Sequence, residues 1–237
     1  MPYRRLPTTD VARLKALHAA TRMAEITDPD QLAYSASHLH PMRNIVAKLE
    51  GAKHQQNQAR STRVALNREF QPKVLKTRLY LSHFIQVLNL AIQRDEIPES
   101  ARQFYGLEEY GNRVPDLRSE REVLDWGKRI IEGEANRIKT GGIPVMMPNI
   151  SRVRVWLDPF RDSYYAQITA IKSTRRADEN IAQVRKEVDS ILSVVWDEIE
   201  AHFRRLPEAE RRQQAEEYGI VYVLRSGENL KEGSRLK

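Results

Sequence analysis

Pairs of histidine and glutamate are the residues of this chain whose spacing could support chemistry. Glu50 and His54, and likewise Glu198 and His202, stand four residues apart. In a helix each pair therefore shares one face, where such pairs usually form exposed charge contacts. The Glu-x-x-His motifs that di-iron helical bundles require are absent from the sequence. We therefore expect no metal site and no cofactor.

Motifs for nucleotide binding and for nucleophilic catalysis are also absent. The sequence has neither a GxGxxG nor a Walker loop. Gly141–Gly142 follows a helix with Arg137 and Lys139 in its last turn, which is the pattern of a helix C-cap. Ser82 and His83 are neighbours, but no spacing marks a third partner for a triad. The lack of cysteine excludes thiolate chemistry, so we predict no catalytic residue and favour a protein that is not an enzyme.

Positive charge is concentrated in residues 43–78, where nine lysines and arginines stand against two glutamates. The net charge of +7 and the pI near 9.6 permit nucleic-acid binding. The candidate phosphate contacts are Lys53, Arg60, Arg63 and Arg68. A solvated helix face, balanced by acidic helices such as 178–200, is the favoured interpretation, because the basic residues do not form one tight stripe.

Aromatic residues form a second group. Trp156, Phe160 and Tyr164 are spaced by four residues, and Tyr165 follows. This spacing could line a ligand pocket, but tyrosine and tryptophan are more often part of a helical core or an interface. The candidate interface residues are Trp156, Tyr164, Tyr165 and Tyr222.

Helical periodicity accounts for most of the chain. Helices are predicted over residues 8–24, 119–139 and 150–206, the second with a Ser119–Glu122 capping box. The clearest apolar stripe is Leu66, Phe70, Val74, Leu81, Ile85, Leu88 and Ile92. Residues 52–63 and 172–180 lack large apolar side chains, and either continuous helix or hairpin turns would accommodate them.

These elements predict an all-α protein: an antiparallel bundle of four main helices with long helical arms. One domain, residues 1–225, would be followed by a disordered tail, 226–237. The only strand-like run is 220–224, which could pack on the bundle, pair with residues near 143–147, or pair with another copy. We expect one merged core that contains Leu81, Ile85, Leu88, Ile131, Val188, Ile191 and Val195.

The chain also shows signs of an internal duplication. Arg5-Leu6-Pro7 recurs as Arg113-Val114-Pro115, and Tyr105-Gly106-Leu107 recurs as Tyr218-Gly219-Ile220. These matches predict repeats at 1–107 and 113–224. The alternative is that connections between helices simply favour proline and glycine.

Composition excludes several other classes of protein. The chain of 237 residues is 41% hydrophobic and 30% charged, which is adequate for a core and argues against global disorder. No apolar run approaches the roughly 18 residues of a membrane span, and the first residues lack the apolar segment of a signal peptide. We therefore expect a cytoplasmic protein without a membrane partner.

The opening Met1-Pro2-Tyr3-Arg4-Arg5-Leu6-Pro7 resembles a family of bacterial all-helical proteins with no assigned function. The same resemblance extends to residues 82–91, 105–107, 114–117 and 141–144. It implies a helical fold and nothing about activity or ligands. From the residues themselves we expect a helical binding or scaffold protein that self-associates through helix faces. The alternative is a nucleic-acid-associated protein that uses the basic 43–78 segment.

Overall fold

The computed structural model describes residues 2–224, and the protein is 78% helical, which confirms the all-α fold class. The helices are α1 (Asp10–Ile26), α2 (Leu39–Gln93), α3 (Arg102–Tyr105), α4 (Glu120–Lys139), α5 (Ile150–His202) and α6 (Glu208–Glu217). Strands β1 (Tyr3–Arg4) and β2 (Tyr222–Val223) form a small antiparallel sheet. The tail predicted for 226–237 lies outside the described residues.

The chain divides into two compact units. Unit 1 comprises Met1–Gln58 and Arg175–Lys237, and unit 2 comprises Ala59–Thr174. Helices α2 and α5 contribute residues to both units, whereas α3 and α4 belong to unit 2. The organisation as a single domain stays a prediction.

The two stretches without large apolar residues, 52–63 and 172–180, are continuous helix within α2 and α5. In both stretches, small and polar side chains make the packing contacts. In unit 1, Gln56 donates a hydrogen bond of 2.5 Å to Asp178, and Ala52 and Ala177 are buried. In unit 2, the hydroxyl of Thr174 lies 2.9 Å from the carbonyl oxygen of Ala170. Because these polar groups satisfy one another, the helices need no turn there.

Unit 1 has its own core, in which α1, α6 and parts of α2 and α5 bury Leu17, Met42, Leu49, Val188 and Trp196. Ion pairs fix α1 against α5. Arg13 binds Asp189 through two nitrogens at 2.8 and 2.9 Å, and Arg185 binds Asp10 at 2.7 Å.

The strand-like C-terminal run pairs within the chain, since Tyr3 lies opposite Val223 and Arg4 opposite Tyr222. Arg4 also binds Asp197 at 2.7 Å, and the hydroxyl of Tyr222 donates to Glu200 at 2.7 Å. This edge of β2 is therefore occupied by β1, a strand that the sequence analysis did not predict.

Unit 2 has a separate core, in which α2, α4 and α5 bury Phe84, Leu88, Ile130, Val153 and Phe160. The prediction of one merged core was therefore wrong. Leu81, Ile85 and Leu88 lie in this cluster and Ile131 packs against it, whereas Val188 and Val195 lie in unit 1, where Ile191 packs beside them. Helical periodicity identifies the buried face of a long helix but not which helices cover each part of it.

Gly127 of α4 allows close packing in unit 2. A Cβ atom at this position would stand 2.4 Å from a methyl group of Leu157. In α5, Gln167, Ala170 and Thr174 are buried while Ile171 is 47% exposed. Small and polar side chains therefore contribute to the contact with α2, where Gln167 bonds to Asn67 and Thr174 to the carbonyl of Ala59.

The ends of the two predicted repeats have matching local geometry. Gly106 and Gly219 both adopt positive φ, +68° and +88°. In each repeat the glycine N–H bonds three residues back, and the following Leu107 or Ile220 bonds five residues back. Tyr105 and Tyr218 are both buried. This geometry supports a duplication, which stays a prediction.

Candidate association surface

In unit 2, helix α2 has a buried inner face and an outer face that carries large apolar side chains. The inner face buries Phe70, Val74, Leu81, Ile85 and Leu88. The outer face exposes Val64 by 70%, Leu75 by 63%, Leu79 by 57% and Leu90 by 47%. We refer to these four residues as the outer α2 stripe.

Contacts on the inner face fix the orientation of the stripe. Phe70 stacks on Phe160 of α5 with 5.5 Å between ring centroids, and Tyr80 stacks on Trp156 at 5.9 Å. The hydroxyl of Thr77 donates a 3.0 Å hydrogen bond to the carbonyl oxygen of Trp156. Since these contacts hold α2 over several turns, the outer α2 stripe cannot rotate inward.

The predicted aromatic interface residues are mostly used within the chain. Trp156 stacks on Tyr80, Tyr164 packs against the Phe70–Phe160 pair, and Tyr222 binds Glu200. Tyr165 alone among the four predicted residues is exposed, by 50%.

The basic 43–78 segment is neutralised at its start but not throughout. Arg43 pairs with Glu25 at 3.2 Å and Lys48 with Glu187 at 2.5 Å, both in unit 1, where Lys53 is half-buried. In unit 2, exposed Arg63 and Arg68 form no ion pair within the described part of the chain. The structure thus brings Arg60, Arg63 and Arg68 into one unit and leaves Lys53 in the other.

A buried polar cluster in unit 2 escaped the sequence analysis. Glu134 and Arg137 of α4 form an ion pair of 2.9 Å, and the hydroxyl of Tyr105 hydrogen-bonds to Glu134. Burial raises the pKa of the Tyr105 hydroxyl well above its usual range, and the hydrogen bond and charge of Glu134 raise it further. Burial opposes the charge of Arg137, yet Tyr105 and Glu134 keep the pKa of Arg137 above its ordinary value. Tyr105 therefore stays neutral and Arg137 stays charged.

This cluster anchors the loop after α4. Glu134 accepts a 2.8 Å hydrogen bond from the Val145 N–H, and Arg137 donates one of 2.7 Å to the Ile143 carbonyl. Gly141 has φ of +92°, in agreement with the predicted C-cap. The loop exposes Ile143, Met146 and Met147 by 65 to 85%, and a cavity of about 360 Å³ lies beside Ile143. The charged groups of the cluster thus bind one another and the loop backbone.

The described part of the chain contains no group of three His, Asp or Glu side chains that could bind a metal ion. His38 instead contacts Glu198 at 2.9 Å. No helix in residues 2–224 is both long enough and apolar enough to cross a membrane. The outer α2 stripe was missed because its spacing of 11, 4 and 11 residues does not follow the three- and four-residue steps of a core stripe.

Comparison with known proteins identifies no relative: no family model, no curated protein and no solved structure matches this chain.

Proposed function

We propose that this protein is a helical scaffold protein, not an enzyme, that self-associates through the outer face of α2 in unit 2. The observation that supports this proposal is the outer α2 stripe, four large apolar side chains held in water on one helix. Leu75 and Leu79 lie one turn apart at the centre of this stripe, and exposed apolar patches commonly mark interaction sites. Its burial in a contact would be favoured by roughly 25 cal/mol per Å² of apolar surface.

Two other surfaces suited to association are used inside the chain. The backbone of β2 pairs with that of β1, and Trp156 and Tyr164 pack within unit 2. Among residues 2–224, by contrast, the outer α2 stripe keeps its four side chains 47–70% exposed. It therefore fits the predicted association through helix faces better than the C-terminal strand does.

Sedimentation velocity of the full chain between about 1 and 100 µM tests the proposal, since weak interfaces dissociate in this range. We expect the mass to rise from that of the 27.5 kDa monomer with concentration. The double variant Leu75→Ser, Leu79→Ser should remain monomeric. The matched control is Val155→Ser on α5, where the side chain is 60% exposed, and it should associate like the unaltered chain. A monomer at every concentration would refute the proposal.

A second candidate function is nucleic-acid binding, which the unneutralised charges of unit 2 favour. Arg63, Arg68, Lys76 and Lys172 are all exposed, and none forms an ion pair within residues 2–224. Such residues can bind the phosphates of a nucleic acid whatever its base sequence. Glu69 is the one acidic residue between positions 60 and 78.

The test is fluorescence anisotropy with a labelled duplex and a labelled single strand at about 50 and 200 mM salt, because released counterions make such binding salt-dependent. Arg63→Glu with Arg68→Glu should abolish binding. Lys15→Glu with Arg22→Glu, an equal charge change on the exposed face of α1, should preserve most of it. Absence of binding at low salt would exclude this function.

A further inference from the structure

The outer α2 stripe is symmetric along the sequence. Its members, Val64, Leu75, Leu79 and Leu90, are separated by 11, 4 and 11 residues. The inner pair and the outer pair are therefore both centred on position 77. The exposed apolar residues of α5 in unit 2, Val155, Tyr165 and Ile171, have spacings of 10 and 6 and no such symmetry.

Helix geometry places the four residues on one side. An 11-residue step is three turns plus about 20°, and a four-residue step is one turn plus about 40°. The stripe therefore spans about 80° of the helix surface over about 39 Å of its length. The inner face is opposite, because Phe70, Val74 and Leu81 are buried in the core of unit 2.

We infer that the partner of this face is a second copy of the chain, with its α2 antiparallel to the first and a twofold axis on the outer side of α2, level with position 77. The inference rests on the proposed self-association and specifies its register. In this arrangement Leu75 faces Leu79 of the second copy, and Val64 faces Leu90 of the second copy. A twofold contact is isologous, so each apolar pair occurs twice.

Charge distinguishes the antiparallel register from a parallel one, which would also match identical apolar residues. In a parallel pair, Arg68 would face Arg68 of the second copy. In the antiparallel pair, Arg68 faces Gln86 of the second copy, which is neutral. The basic residues 60–68 then lie opposite 86–94, where Arg94 is the one basic residue and pairs with Glu96 at 3.6 Å. Lys76 lies opposite Arg78 of the second copy, so one kind of like-charge contact remains beside the axis. Like charges placed together disfavour an interface, and the antiparallel register brings fewer of them together than the parallel one.

The size of the outer α2 stripe indicates how strongly two copies should associate. The exposed fractions of the four side chains amount to roughly 400 Å² of apolar surface per copy, about half of the ~800 Å² that each partner buries in a standard interface. Polar residues such as Gln71, His83 and Gln86, all exposed, would supply the remainder. We therefore expect a dissociation constant in the micromolar range, which is typical of smaller interfaces.

Engineered disulfides test the register, and the natural chain contributes no cysteine of its own. A Val64→Cys chain and a Leu90→Cys chain are mixed at about 100 µM, oxidised and separated on a non-reducing gel. The mixture should give a cross-linked dimer. Val64→Cys alone should give little, because its two copies would be separated by about 39 Å. A dominant cross-link between two copies of the Val64→Cys chain would instead indicate parallel helices and overturn the inference.

Gln86→Glu provides a second test that leaves the apolar stripe intact. In the antiparallel register the new carboxylate faces Arg68 of the second copy, so sedimentation should show about two- to tenfold tighter association. In a parallel register the new carboxylate faces its own equivalent on the second copy, and this repulsion weakens association. Unchanged or weaker association therefore overturns the register while the proposed self-association stands. A wild-type chain that stays monomeric overturns both.

Discussion

Glu134 and Arg137 lie one turn apart on α4 and form a 2.9 Å ion pair whose side chains are 0% and 5% exposed. Burial of two charges has a large desolvation cost, which a well-formed pair offsets only when its remaining hydrogen bonds are satisfied. Here the backbone of the 141–149 loop and the hydroxyl of Tyr105 supply those bonds. The pair thus links α3, α4 and the loop in unit 2.

Glu134→Gln should therefore destabilise the protein strongly, because it leaves the Arg137 charge buried without a counterion. We expect a loss of about 3–5 kcal/mol in urea unfolding followed by circular dichroism. Arg121→Gln removes the exposed partner of Asp125 and should cost less than about 1 kcal/mol. Similar losses for the two variants would contradict this interpretation.

Asp10 should make the stability of unit 1 sensitive to acid. The hydrogen bond from Arg185 lowers the pKa of Asp10 below its ordinary value of 3.8 in the folded protein. A lowered folded-state pKa contributes stability above the unfolded value, and this contribution is lost as the pH falls through the folded-state pKa. The urea midpoint should therefore decrease below about pH 4, and less so in Asp10→Asn. Asp30→Asn, at an exposed position, should keep the full acid dependence.

Replacing Gly219 and Gly51 by alanine should have opposite effects on the stability of the protein. Gly219 has φ of +88°, and a Cβ atom there would stand 2.9 Å from that of Ala19. We expect Gly219→Ala to destabilise by about 1–3 kcal/mol. Gly51 lies inside α2 with no atom near its missing Cβ, so Gly51→Ala should stabilise by about 0.5–1 kcal/mol. Thermal unfolding of both variants gives the comparison, and a stabilised Gly219→Ala would refute the close contact.

Leu88 and Leu90 are near neighbours on α2 but face different surroundings. Leu88 is fully buried, whereas Leu90 belongs to the outer α2 stripe. Leu88→Ala should cost about 2–5 kcal/mol through the cavity it leaves. Leu90→Ala should cost less than about 1 kcal/mol in dilute monomer, since little of its burial is lost. Chemical unfolding at low micromolar concentration measures both, and a small loss for Leu88→Ala would contradict the assigned core.

Helical periodicity was sufficient to predict the local structure of most of the chain. Phe70, Val74 and Leu81 were assigned to a buried stripe, and all are buried in unit 2. The division into two cores was not predicted, because the three- and four-residue spacing of the apolar residues in α5 continues across the divide through Thr174 and Ala177. Strand β1 was missed because two residues carry no alternating pattern, and only Tyr222 and Val223 across from it define the pairing.

The site features were harder to predict than the fold. Glu134 and Arg137 are charged residues on a helix, and sequence analysis assigns such residues to the surface unless a partner is known. Leu75 and Leu79 are the opposite case, apolar residues that are exposed. Because they lie close to a core stripe in the sequence, their pattern does not indicate exposure. Only the structure shows that these two side chains point away from the core.

The division of the chain has a consequence for synthesis on the ribosome. Unit 2 is one continuous stretch, Ala59–Thr174, whereas unit 1 combines an early segment with one that begins at Arg175. Domains tend to fold as they emerge during translation, so unit 2 can fold while the later part of α5 is still being made. The segment that carries β1 and α1 must wait for α6 and β2. The residues of β1 and α1 are therefore synthesised before unit 2 but reach their native contacts after it.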